Sequence, residues 1–256
     1  MTMISWTAVY VLWLREMKRY VRAKSRIIGS LIQPLFFLAF LGLGFNRMAV
    51  PGMQSGVNYI KFLVPGIIGM TLLFSSSMQG LSVLWDREFG FLKEIMVAPV
   101  GRVSIVLGRI AGGTTTTMIQ GLLVLVISMI VGFRVRSVPY FLLALVFMVL
   151  IAFTFIGLGL IFASKMKDMQ GFGLIVNFII FPLFFLSGAL YPLNNLPVFV
   201  RVLSYIDPLT YGIDGLRGSM INVASHPILL NLALMAAFSL VMLFLGAYFF
   251  EKSESV

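Results

Sequence analysis

Apolar residues run along this chain in long blocks separated by short polar clusters, and the blocks have the length of membrane-crossing helices. Six are predicted as spans: Ile27–Phe45, Ile60–Leu84, Val103–Phe133, Tyr140–Ala163, Gly171–Leu190 and Ile228–Phe250. A helix rising ~1.5 Å per residue needs about 20 residues to cross a hydrocarbon core of about 30 Å. All six blocks are of that order. No internal repeat is visible, and residues 1–256 read as one transmembrane domain.

The segments that do not span carry as much information. In residues 1–26, Trp6, Val9, Tyr10, Trp13, Met17, Tyr20 and Val21 recur at helical spacing, while Arg15, Arg19, Arg22 and Arg26 form a second stripe. That pattern predicts an amphipathic helix lying in the membrane interface, its aromatic residues at headgroup level and its cations toward an anionic leaflet. Residues 85–102 hold Asp86, Arg87, Glu88, Lys93, Glu94 and Arg102 in one short stretch. They predict a short amphipathic cytoplasmic helix ended by Pro99 and Gly101. Residues 191–227 are interrupted by Pro192, Pro197, Pro208 and Pro227 and contain Arg201, Asp207, Asp214 and Arg217. They are too polar to cross, but they hold two amphipathic pieces, Leu196–Ile206 and Leu209–Ile221. A short polar tail, 251–256, closes the chain.

Composition agrees with the pattern. The chain is 60% hydrophobic and 11% charged, with a mean hydropathy of +1.03, against ~25% charged residues in a soluble domain. The net charge of +10 raises the question of nucleic acid. The cations flank the spans, however, as they do when a bilayer orients a chain, and no nucleic-acid partner is expected. With an inside N-terminus, segments 1–26, 85–109, 164–170 and 251–256 place thirteen Lys and Arg in the cytoplasm and leave six outside. Both termini are therefore expected in the cytoplasm of a multi-pass protein of the plasma or inner membrane.

Several chemistries are excluded. There is no cysteine and one histidine, His226, so no transition-metal site is expected. No G-x-x-x-x-G-K-[ST] phosphate loop is present, so no ATP site of that kind lies in the chain, and no cofactor is expected in it. The central parts of the spans are almost free of ionisable side chains, which weighs against proton- or sodium-coupled carriers and against channels with charged rings. A charged cytoplasmic helix without an energy source points to a transport protein, not itself an enzyme, driven by a separate subunit. The alternatives are a stand-alone secondary carrier or channel, and a membrane anchor for a cytoplasmic enzyme. Pro34 and Pro182 interrupt the hydrogen bonding of spans 1 and 5 and mark them as helices able to bend.

Two stretches carry a resemblance. Phe62–Arg109, with Glu94, Ala98, Pro99 and Arg102, and Phe181–Gly218, with the DPLTY run at Asp207–Tyr211 followed by Leu216–Arg217, are similar to the permease subunits of type-2 ATP-binding-cassette exporters. This group includes daunorubicin-resistance and nodulation-factor export permeases. Asp207 stands where asparagine is commoner in that family.

The resemblance implies an all-α integral membrane fold: six transmembrane helices, the N-terminal interfacial helix, a cytoplasmic coupling helix at 85–102 and an outer re-entrant helical hairpin at 191–227. It implies a homodimer of permeases with two copies of a cytoplasmic ABC ATPase, which would bind ATP and Mg and receive the interfacial and coupling helices. Asp86, Arg87, Glu88, Phe91, Lys93 and Glu94 are the residues expected to couple to that ATPase. Spans 1, 2 and 5 would line the pathway at the dimer interface. There Phe36, Phe37, Phe40, Phe181, Phe184 and Phe185 suit a hydrophobic or amphipathic cargo such as a drug, a lipid or a lipid-linked glycan. Pro34 and Pro182 would act as hinges.

Overall fold

The computed structural model describes residues 5–45, 58–89, 101–166, 168–195 and 197–253, and no strand occurs among them. The chain opens with α1 (Trp6–Arg22) and, after a break at Ala23, continues as α2 (Lys24–Phe37), which widens into a π-helical stretch over Leu38–Leu43. The long helices α3 (Tyr59–Glu88), α4 (Arg102–Ile130) and α5 (Val138–Lys165) follow. Next, α6 (Met169–Ile175) passes through a π-helical stretch at Val176–Ile180 into α7 (Phe181–Leu186). A 3-10 turn at Leu193–Asn195 leads to α8 (Val198–Ser204), α9 (Pro208–Ile221) and α10 (Ile228–Ser253).

Six helical stretches are long and apolar enough to span: Lys24–Leu43, Tyr59–Asp86, Val103–Ile130, Val138–Lys165, Met169–Leu186 and Ile228–Phe250. The six expected spans are therefore present, with shifted ends. Span 1 starts at Lys24, not Ile27, because helix resumes directly after Ala23. Span 5 ends at Leu186, not Leu190, because Gly188 adopts a positive φ of 70° that turns the chain.

The central helix is α3. Leu63, Ile67, Met70 and Leu73 are buried against Phe147, Ile151 and Phe155 of α5 and Leu209, Ile213 and Leu216 of α9. Between apolar helices in lipid, dispersion and close backbone approach supply the packing, and small residues sit where helices cross. A Cβ on Gly80 of α3 would strike the Gly159 carbonyl of α5, and one on Gly157 of α5 would strike Met242 of α10. The outward faces of α2, span 5 and α10 expose Ile32, Phe36, Phe40, Phe178, Leu240 and Phe244, a surface suited to lipid or to another subunit.

Two expectations change. The segment 85–102 is not one separate helix: α3 runs on to Glu88, so Trp85, Asp86, Arg87 and Glu88 belong to the end of span 2. The 90–100 part, with Phe91, Lys93 and Glu94, lies outside the described residues. The piece Leu209–Ile221 is not amphipathic in its setting either. Every residue of α9 from Pro208 to Met220 is buried, because α3, α5 and α10 surround it: Gly69 of α3 meets Ile213, and Gly212 and Gly215 meet Ile151 and Phe147. Gly212 meets Ile151, midway along α5, Gly215 meets Phe147, and the Met220 carbonyl accepts from the Arg136 N–H in the turn before α5, so α9 lies along the half of α5 nearer that turn.

Candidate functional site

Three features converge on the bundle: a buried charge cluster at the end carrying α1, a lateral chamber beside α3, and the buried helix α9 at the opposite end of α3.

The charge cluster joins three helices. Ser5 caps α1 by accepting from the Ala8 N–H, and its own N–H donates to Ser104 Oγ at 3.0 Å. Glycines at 108 and 112 let α1 lie close on α4, since a Cβ at either would come within 2.7 Å of Leu12 or Glu16 Cβ. Trp13 Nε1 donates to Thr115 Oγ1 at 3.1 Å. This seats Arg15 and Arg19 beside Asp86, which shares one stripe of α3 with Gln79 and Val83. Asp86 Oδ1 lies 3.0 Å from Arg15 Nη2, Oδ2 lies 2.9 Å from Arg109 Nη2, and Arg19 Nη1 stands at 3.7 Å. Glu16 takes Arg19 Nη2 at 2.8 Å. The Arg109 guanidinium also sits 5.8 Å from the Phe250 ring of α10.

Asp86 is 6% exposed. Both of its oxygens face arginines of the same chain. Arg109, expected in turns projecting into the cytoplasm, is buried in the same cluster. Arg87 and Glu88 sit on the last turn of α3, next to it in sequence.

The aromatic residues expected along the pathway separate. Phe36 and Phe40 are exposed and stacked on one another at 4.1 Å, and Phe185 is exposed. Phe184 is a core residue, 1% exposed, with Phe37 edge-on to it at 6.1 Å. It packs in the core because α7 turns it toward Phe74 of α3. Phe181 faces Phe74 at 4.8 Å and lines the chamber, a space of about 540 Å³ bounded by α2, α3, α4 and span 5. Pro34 is buried in α2 just before the π-helical stretch at Leu38–Leu43, and Pro182 stands just after the one at Val176–Ile180. Both prolines thus adjoin irregular helix, the usual company of a missing N–H and a frequent feature of functional segments. Pro65 interrupts α3 in addition, a residue the sequence reading passed over.

Helix α9 explains the DPLTY and LR runs. Asp207 caps it, accepting from the Leu209 N–H at 2.9 Å. Pro208 fills the first turn, where no N–H is needed. The Tyr211 hydroxyl donates to the Tyr205 carbonyl at 2.9 Å. Arg217 donates to three carbonyls, Phe62 at 3.2 Å, Gly188 at 2.7 Å and Ala189 at 2.9 Å, and its guanidinium lies 3.6 Å from the Phe62 ring. One side chain thereby fastens the start of α3 to the turn after span 5. Asp214 accepts from the Ser225 N–H at 2.7 Å, the His226 N–H at 2.9 Å and Asn231 Nδ2 at 2.8 Å, with His226 Nδ1 at 3.3 Å. His226, in the loop before α10, is thus part of a partly buried network. Burial pushes the Asp207 carboxyl up to about 8, against the lowering effect of the Leu209 and Thr210 bonds. The sequence places Asp214 and Arg217 on the amphipathic piece Leu209–Ile221 of the outer segment, and the structure buries both within a helix. The signal that identifies them is charge flanked on both sides by apolar residues at helical spacing. Among the described residues no His, Asp and Glu cluster could hold a metal ion.

Comparison with known proteins covers the same elements. The ABC-2 type transporter family profile matches residues 7–221, from α1 to the end of α9. The chain is 29% identical over 237 residues to the Inner membrane transport permease YadH of Escherichia coli (strain K12), covering 91% of this chain and 90% of that protein. It is 25% identical over 251 residues to Nodulation protein J of Sinorhizobium fredii (strain NBRC 101917 / NGR234), covering 97% and 93%. It is 31% identical over 201 residues to the Putative transport permease ycf38 of Pyropia yezoensis, covering 77% and 68%.

Proposed function

The chain belongs to the ABC-2 type transporter family, and we propose that it is the membrane-spanning subunit of an exporter driven by a separate ATPase. In this reading two copies form a homodimer, both termini are cytoplasmic, and each copy meets one ATPase through α1 and the 90–100 segment. ATP and Mg are bound by the ATPase. The cargo is a hydrophobic or amphipathic molecule taken from the cytoplasm or the inner leaflet. Helix α9, with α8, is the re-entrant hairpin on the outer side, its polar backbone tolerated at depth because protein surrounds it.

The observation that carries this reading is the Asp86 cluster. The 90–100 segment leaves from the end of α3 and rejoins at the start of α4, and Asp86 ties those two ends to α1 through ion pairs. A force applied there by a closing ATPase is delivered to α1, α3 and α4 as one body. Span 1 and span 5, each broken by proline and π-helical turns, are the compliant elements, so displacement concentrates between them and that body. The chamber lies at this boundary. Nucleotide state shifts such an equilibrium only through contacts that differ between its two ends, and reversing a 1:99 population takes about 5.5 kcal/mol.

The test is reconstitution. Full-length chain co-purified with its ATPase should export cargo from proteoliposomes only with ATP. Transport down a gradient by the chain alone would instead favour a stand-alone carrier. That alternative has little to support it, since among the described residues the ionisable groups of the spans lie toward their ends.

A further inference from the structure

We propose that the lateral chamber binds an amphiphile with an anionic headgroup, and that Arg26 is the counter-ion for that group. Calling the bound molecule cargo rests on the exporter reading; the binding itself does not.

Arg26 sits in the first turn of α2, half-buried, and its side chain lines the chamber together with Tyr20 and Trp85. None of the residues lining the chamber is an aspartate or glutamate. The acids nearest this end are already engaged, Glu16 with Arg19 and Asp86 with three arginines, and Glu16 reaches Arg26 only through space, where the charge of Arg19 opposes it. Arg26 is therefore a cation directed into a space whose own wall supplies no opposite charge. A charge taken partly out of water is retained at low cost only where an anion joins it.

The rest of the wall fits the other parts of an amphiphile. Beyond Arg26 come amides and hydroxyls, including Gln33, Ser75 and Gln79, with Met78 and Leu81 among them, and then a mainly apolar end formed by Met70, Phe74 and Phe181, where the Thr71 hydroxyl is spent on the Ile67 carbonyl. From Met70 to Trp85 the wall runs about 22 Å along α3, more than the ~15 Å of one leaflet's hydrocarbon. Its volume, about 540 Å³, falls among small-molecule sites of about 300–1,000 Å³. The order of cation, polar middle and apolar end matches a phosphate or carboxylate head, a glycerol or sugar linker and an acyl or prenyl tail. Basic pockets between membrane helices are known to take anionic headgroups.

The test uses the full chain in phosphatidylcholine nanodiscs without ATP. Photoactivatable phosphatidylglycerol is compared with photoactivatable phosphatidylcholine, each carrying its reactive group either near the head or on the tail. The anionic lipid should label α3 over 70–85 roughly fivefold more than the choline lipid. Head-positioned probes should mark the Trp85 end and tail-positioned probes the Phe74 end. Arg26→Gln should bring the ratio near one, Arg26→Lys should keep it, and Lys24→Gln, at an exposed neighbour, should not change it. Equal labelling by the two lipids, a retained preference in Arg26→Gln, or reversed head and tail positions would each overturn the proposal. Full competition by millimolar glycerol phosphate would overturn it too, because the apolar end would then contribute nothing. If the lipid preference fails while ATP-driven export succeeds, this proposal falls and the exporter reading stands. If binding holds without ATP-coupled transport, the exporter reading falls alone.

Discussion

Asp86 on the last turn of α3 and Arg109 on the second turn of α4 face each other at 2.9 Å, the carboxylate buried and the guanidinium mostly so, with Arg15 of α1 closing the group from the other side. The pair is strategic because it joins the two helix ends between which the 90–100 segment is strung. Removing one partner of a buried ion pair leaves an uncompensated charge and costs about 3–5 kcal/mol. Asp86→Asn should therefore lower the thermal midpoint of the purified chain and uncouple ATP hydrolysis from transport. The exchange Asp86→Arg with Arg109→Asp should recover part of the stability. Recovery is expected to be incomplete, since Arg15 and Arg19 still meet the reversed charge at position 86. An Asp86→Asn variant as stable as the parent would remove the cluster from the account.

Arg217 offers a second point of failure at the opposite end of α3. Its planar fork reaches three carbonyls at once, a geometry that a lysine ammonium on a flexible stem does not reproduce. Arg217→Lys should destabilise the chain, and Arg217→Ala should do so more severely, each orphaned buried carbonyl costing about 1–3 kcal/mol. Thermal unfolding in detergent, followed by the loss of monodisperse protein, reads both. The ranking Arg, Lys, Ala in descending stability is the expected result.

The carboxyl of Asp207 predicts a pH dependence. Its folded value is raised from 3.8 to about 8 by burial, so the native state favours the protonated form more than the unfolded chain does. A raised value contributes stability that is complete below the unfolded value and is lost as pH climbs through the folded one. Stability should fall between about pH 4 and pH 8 and then level off as far as this group is concerned. Asparagine imitates the neutral carboxyl and still accepts from the Leu209 N–H as an N-cap. Asp207→Asn should accordingly gain on the parent as pH rises from 5 to 8.5, and its own profile should be flatter. Thermal midpoints of the two proteins at pH 5, 7 and 8.5 check this, and parallel profiles would contradict it.

The spans were legible in the sequence because length and hydropathy alone decide whether a helix crosses, and both are local properties. The prolines were legible as interruptions of helical hydrogen bonding for the same reason. The π-helical stretches beside them depend on how the freed carbonyls are rearranged, which composition does not encode. The setting of α9 was not legible. Asp207, Asp214 and Arg217 read as the polar side of an amphipathic outer segment, and the groups that satisfy Arg217 lie 28, 29 and 155 residues away and are backbone carbonyls. No side-chain pattern announces a backbone acceptor. Asp86 is an intermediate case: its place just beyond the apolar block of span 2 was evident, but its position on α3 and its inward direction depend on arginines of α1 and α4 that no local window contains.

The proposed coupling requires α1, α3 and α4 to move together against span 5. The absence of cysteine in the sequence permits clean spin labelling. Val11 of α1, Val126 of α4 and Phe178 of span 5 are all exposed and accept labels as Val11→Cys, Val126→Cys and Phe178→Cys. Distances should be measured by pulsed electron spin resonance in the complex with its ATPase, with and without trapped nucleotide, after dilution with unlabelled chain. The account predicts that the Val11–Val126 distance stays fixed while the Val11–Phe178 distance changes. A change between Val11 and Val126, with Val11–Phe178 constant, would contradict it.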